Sequence, residues 1–179
     1  ELRRFRYEGG VWQSETLDAP PLGSVGIVTA SDDDDRFFFS YSSFLQPTTL
    51  FLAEADGTTR SVNQLPPSFD GSGLTVQQLE TTSEDGTRVP YFVVHREDVT
   101  LDGSNPTQLY GYGGFEVSLT PSYSGINGSL WLERGGVFVL ANIRGGGEFG
   151  PAWHRAAQRE NRQLAFDDFL PVAEDLIAR

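Results

Sequence analysis

The spacing of hydrophobic residues changes character along this chain. Over residues 1–66 they come in short runs rich in Phe, Val and Thr, at 26–30, 36–42 and 49–54, which read as β-strands. The aspartates at 32–35, Pro47 and Ala55-Asp56-Gly57 separate them as turns. The aspartate run reads as a solvated turn, because a calcium loop needs alternating ligands and a placed Gly. Short strands joined by tight turns fit a sandwich or propeller; this length supplies about one and a half blades.

A Pro/Ser/Gly-rich stretch at 66–73 marks a junction, so the expected domains are 1–70 and 71–179. Next, two segments, 74–82 and 88–95, flank Asp85-Gly86, a hairpin signal. Pro90, which has no N–H for a ladder, is expected at a sheet edge or a strand start. His95 reads as a partly exposed strand residue. From residue 106 the pattern becomes α/β: a strand at 107–112, a helix near 126–134 stopped by Gly135-Gly136, and a continuous apolar strand at 136–143. That order implies a right-handed crossover between parallel strands. A second helix is expected from Pro151. A third covers 166–178, with Phe166, Phe169, Leu170, Ala173, Leu176 and Ile177 as its apolar face. Pro171 is tolerated only in a first turn, which sets the start at Asp167 or Asp168, both good N-caps.

Backbone freedom is concentrated where the two α/β strands end. Of 20 glycines, 12 lie between Gly103 and Gly150. Loops at strand ends in such sheets are where ligands bind. The net charge of −12, with 13 Arg and no Lys, argues against nucleic acid and anionic membranes as partners. With no Cys and only His95 and His154, no metal site or cofactor is expected. The longest apolar run, 136–143, is too short to span a bilayer. Met is absent even at position 1, and the last helical pattern stops uncapped at Arg179, so a segment of a longer chain is expected.

Three blocks carry a resemblance: L-Y-G-Y-G-G-F at 109–115, A-N-I-R-G-G-G-E-F-G-P-A-W-H at 141–154, and F-D-D-F at 166–169. In this order and spacing they closely resemble the prolyl oligopeptidase family of serine peptidases, strongly over 75–179 and more loosely over 1–74. The resemblance implies an α/β class fold: the N-terminal part of an α/β-hydrolase domain, preceded by all-β blades from the end of a β-propeller. It implies that Tyr112 donates its hydroxyl to the oxyanion of the tetrahedral intermediate, as a phenol of pKa near ~10 can at neutral pH. It also implies that Phe115 lines the substrate pocket, an aromatic wall suited to a proline ring. Gly113, Gly114, Arg144, Gly145, Gly146, Gly147 and Glu148 read as loop-forming residues, with Arg144 and Glu148 an internal ion pair. His154 reads as structural, and Asp167 and Asp168 as helix caps.

No G-x-S-x-G occurs, so the nucleophile elbow and the Ser, Asp and His of the triad are expected beyond Arg179. The segment alone is expected to be inactive. The complete enzyme would cleave short proline-containing peptides on the carboxyl side of proline, as a monomer, with the rest of the polypeptide as the segment's partner. Oligopeptidase B-like or dipeptidyl-peptidase-like specificity stays open, as does a non-catalytic binding module of the same fold. The compartment stays open between cytoplasm and periplasm.

Overall fold

The computed structural model describes residues Glu1–Arg179 and divides into two compact units. The first comprises residues 1–67 with 121–124; the second comprises 68–120 with 125–179.

The first unit is all-β. Strands β1 (Arg3–Glu8) and β2 (Val11–Thr16) form an antiparallel ribbon. Strands β3 (Gly23–Ala30), β4 (Phe37–Ser43), β5 (Thr49–Ala53) and β6 (Thr59–Gln64) form a four-stranded antiparallel meander in chain order. Phe39 and Phe51 are register partners, and their rings stack at 5.1 Å over a core that includes Leu2, Leu17 and Ala53. Aromatic cross-strand pairs of this kind stabilise a sheet by about 0.2–1 kcal/mol each. Strands β1, β2 and β6 bury no apolar face: along β1, Phe5 and Tyr7 alternate with Arg4 and Arg6 but point to solvent. Backbone pairing and polar ties hold the β1–β2 ribbon, among them Arg4 to Glu15, register partners 2.6 Å apart. Residues 121–124 join this unit through hydrogen bonds: Ser24 Oγ donates to the Pro121 carbonyl at 2.7 Å, and Tyr123 N donates to Ser42 Oγ at 3.3 Å.

The second unit is built on a mixed sheet. Strands β7 (Leu74–Thr82) and β8 (Arg88–Arg96) make the hairpin around Asp85-Gly86. Strand β9 (Thr107–Gly111) runs parallel to β10 (Val137–Ala141), which is antiparallel to β8, giving the order β7-β8-β10-β9. Helix α1 (Gly125–Leu130) and a 3₁₀ turn (Leu132–Arg134) form the crossover between β9 and β10, ended by Gly135. Helix α2 spans Pro151–Ala156 and α3 spans Gln163–Ala178. All five residues of β10 are buried, as in a sheet covered on both faces. On one face Val89, Tyr91, Val93, Val137, Val139 and Ala141 form the core with Ala165 and Val172 of α3. The Tyr91 hydroxyl reaches the Asp175 carboxylate of the same helix; burial first, then that carboxylate, push its pKa up to about 12.

Three expectations need correction. Pro90 lies at neither an edge nor a strand start: it is the third residue of β8, which runs between β7 and β10. Its carbonyl accepts from Asn142 N at 3.0 Å, so its nitrogen faces the same way, past Ala141 where β10 has ended. A donor is therefore missing only where the ladder has run out.

Helix α3 begins at Gln163, a turn earlier than expected, with Arg162 at the capping position and no side-chain cap. Asp167 and Asp168 are interior residues, not caps, and Pro171 lies inside the helix. The proline leaves the Asp167 carbonyl without its intrahelical N–H. Ser83 Oγ, at the start of the β7–β8 turn, donates to that carbonyl at 3.2 Å and takes its place.

The buried stripe of α3 runs through Ala165, Asp168, Phe169, Val172 and Leu176. Of the expected apolar face, Phe166, Leu170 and Ile177 are exposed. The stripe is rotated because one of its members is an aspartate, which no hydrophobic pattern counts.

Candidate active site at the ends of two parallel strands

Because β9 and β10 are parallel neighbours, the loops that follow them leave the sheet at the same end. The first, after Gly111, carries Tyr112, Gly113, Gly114 and Phe115. The second, after Ala141, carries Arg144, Gly145, Gly146, Gly147 and Glu148. The structure brings all these residues together.

Their contact is main chain on main chain. Glu116 N donates to the Gly145 carbonyl at 3.3 Å, and Gly147 N to the Val117 carbonyl at 3.2 Å. Gly113 and Gly145 both have positive φ, 57° and 97°. A Cβ at Gly113 would lie 2.6 Å from Ile143 Cγ1, and one at Gly145 would overlap the Gly113 carbonyl oxygen. Glycine is required at both positions for conformation and for space.

The two loops differ in what they expose. Asn142 to Gly146 are all buried. Tyr112 is 41% exposed and Phe115 85%, the latter at φ 54°, and their rings stack at 6.5 Å. They border a cleft of about 650 Å³, lined also by His154, Gln158, Arg159 and Arg162. The Tyr112 hydroxyl-bearing ring therefore lies at an open surface, available as a donor to a bound group.

Under the second loop lies a buried ion cluster. Asp168, with no exposed surface, accepts from Arg144 Nη2 at 2.6 Å, from its Nε, and from its backbone N at 2.9 Å. Arg144 Nη1 reaches Asp85 of the β7–β8 turn at 2.5 Å. The hydrogen bond from Arg144 is the main reason the Asp85 pKa falls to about 2; contacts from Thr87 add to it. Asp168, and to a lesser extent Asp85, raise the arginine further above its ordinary value, against the opposing effect of burial.

The expected Arg144–Glu148 ion pair does not form. Glu148 Oε1 accepts from Leu119 N at 2.9 Å and from Asn142 Nδ2 at 3.4 Å, while Oε2 is buried without a partner. Arg144 instead faces α3, where a carboxylate is fully enclosed. His154 sits between the loops: its Nδ1 is 3.0 Å from Glu116 N and 2.7 Å from the Gly145 carbonyl, and its Nε2 is 2.6 Å from Gln158 Nε2.

Sequence reasoning missed Asp85, Asp168, Gln158 and Arg162 as parts of this region. One signal was available for Asp168: it falls three residues after Ala165 and four before Val172, on the buried stripe.

Residues 121–179 match the model of the prolyl oligopeptidase family. The whole chain is 50% identical to an uncharacterized peptidase of Sinorhizobium fredii, of which it covers 25%. It is 35% identical over 161 residues to a prolyl endopeptidase of Elizabethkingia miricola, covering 89% of this chain and 23% of that one. Among solved structures, a post-proline cleaving enzyme from Rickettsia typhi superposes with a TM-score of 0.83 at 38% identity, over 97% of this chain and 25% of its own. The chain thus spans about a quarter of the length of the relatives it matches.

Proposed function

We propose that this chain, over the stretch it spans, belongs to the prolyl oligopeptidase family and forms part of a serine peptidase hydrolysing short peptides on the carboxyl side of proline. Its fold is the family's: all-β blades from the end of a propeller, followed by the opening strands of an α/β-hydrolase domain. We assign residues 1–70 to the former and 71–179 to the latter.

In this reading Tyr112 supplies one arm of the oxyanion hole. The observation that carries it is the half-exposed Tyr112 ring at the end of a parallel strand, beside a cleft and over a buried, ion-paired loop. A donor held in place before the reaction stabilises the developing alkoxide without reorganisation, at about 10²–10³ in rate for a single hydrogen bond. Phe115, stacked on Tyr112, offers an apolar face to a proline ring. Arg144, Gly145, Gly146, Gly147 and Glu148 shape the supporting loop. The nucleophilic serine and its base and acid are to be sought outside these residues, because no serine here has the glycines of a nucleophile elbow. Short proline-containing peptides are the proposed substrates, and the chemistry requires no metal or cofactor.

The test is Tyr112→Phe in the complete protein, assayed on a short peptide with proline before a chromogenic leaving group. The expected result is a fall in kcat of about 10²–10³ with an unchanged melting profile. An unchanged kcat removes Tyr112 from the mechanism.

A further inference from the structure

The loop that carries Tyr112 contains two glycines, and glycine does not hold a direction unaided. Something must fix the peptide planes on the C-terminal side of Tyr112 if its hydroxyl is to wait in one place. The carbonyls of those two planes both accept from one side chain. Arg162, which precedes α3, donates through Nη1 to the Gly113 carbonyl and through Nη2 to the Tyr112 carbonyl at 3.4 Å. The guanidinium also lies over the Phe166 ring, 5.6 Å from its centre. A side chain at Gly145 would bring a Cβ to 3.0 Å from Nη1, so the bare backbone there leaves room for the arginine.

We propose that Arg162 is the positioning residue for Tyr112, its forked guanidinium fixing two successive carbonyls and with them the direction of the tyrosine ring. This rests on the oxyanion role proposed for Tyr112 above. Two carbonyls held at once restrict the rotation on both sides of the Tyr112–Gly113 junction. A planar fork does this where a point charge does not. The Phe166 ring limits the swing of the guanidinium itself, by a cation–π contact. A site loosened by about 1 Å loses on the order of 10²-fold in rate without losing its residues.

The test is a double-mutant cycle in the complete protein, on the same prolyl substrate. Arg162→Ala is expected to lower kcat by about 10-fold to 100-fold, with a smaller change in KM. In a Tyr112→Phe background the same substitution is expected to change kcat by less than about 2-fold, because the group it positions is gone. Arg162→Lys, which keeps the charge and loses the fork, is expected to fall between wild type and Arg162→Ala, again only when Tyr112 is present. An equal loss in both backgrounds overturns the proposal, since Arg162 would then act independently of the hydroxyl. Should Arg162→Ala fail to fold, the lysine variant read through the same cycle decides. The Tyr112→Phe single variant reports separately on the oxyanion reading.

Discussion

The two loops at the end of the second unit's sheet share a glycine-rich composition and almost nothing else. The loop after β10 is buried from Asn142 through Gly146 and fastened from beneath by the Arg144–Asp168 pair. The loop after β9 is open, with Tyr112 and Phe115 turned to solvent and no ion pair of its own. Its order is borrowed: main-chain bonds to the buried loop, His154 between the two, and Arg162 on its carbonyls. One loop is foundation and the other is instrument. A site that must hold a hydroxyl at an exposed position can do so by resting it on a buried, ion-paired neighbour.

If that division holds, substitutions should separate into those that unfold and those that disable. The largest expected effect is at Asp168→Ala. It leaves Arg144 buried with Asp85 as its one charged partner and the Ser83 hydroxyl beside it, and removal of one partner of a buried pair costs about 3–5 kcal/mol. Urea unfolding should show a lowered midpoint, and activity should fall with the folded fraction. Tyr112→Phe should show the opposite signature, a comparable loss of about 2.7–4 kcal/mol in activation free energy with the midpoint unmoved. If both substitutions act on stability, the open loop is foundation too.

Gly145→Ala comes next. The added methyl must displace the Gly113 carbonyl at a backbone φ that disfavours it, costing about 1–3 kcal/mol. Both stability and kcat should decline, because the contact between the loops is what changes. Phe115→Ala should alter stability by less than about 0.5 kcal/mol, as surface positions do, while raising KM for prolyl substrates. The smallest effect concerns acid. The Asp85 pKa is depressed in the folded state, to about 2, so its contribution is complete above its unfolded value of about 3.9. It disappears as pH falls from there toward 2. Asp85→Asn should therefore narrow the difference in stability between pH 5 and pH 2.5, by a small amount because the carboxylate is largely solvated.

The sequence made the open loop easier to read than the closed one. Tyr112 and its flanking glycines stand in a recognisable block, and β10 announces itself as an uninterrupted apolar run. The Asp85-Gly86 turn and the Gly135 stop follow from local backbone chemistry. The foundation was obscured because its members are distant in the chain. Asp168 lies 24 residues from Arg144, and an aspartate beside an apolar run reads as a cap before it reads as a buried partner. Glu148, close in sequence and opposite in charge, was the obvious and mistaken choice. Arg162 grips carbonyl oxygens, and every residue has one, so no partner could be named from residue types. Strands β1, β2 and β6 were individually missed for a related reason: backbone pairing, polar ties and one exposed ring contact, Tyr7 on Trp12, hold them, and none of them buries an apolar face.

Pro171 in α3 carries a consequence for any attempt to improve this protein by helix propensity. An alanine there would restore the missing amide, and standard reasoning would expect a stiffer helix. Here the new amide would compete for the one oxygen that anchors Ser83 at the mouth of the hairpin. Straightening the helix would loosen its hold on the turn that presents Asp85 to Arg144, so a gain in local regularity would come at the expense of the clamp. The imperfection in the helix is where the hairpin is tied on.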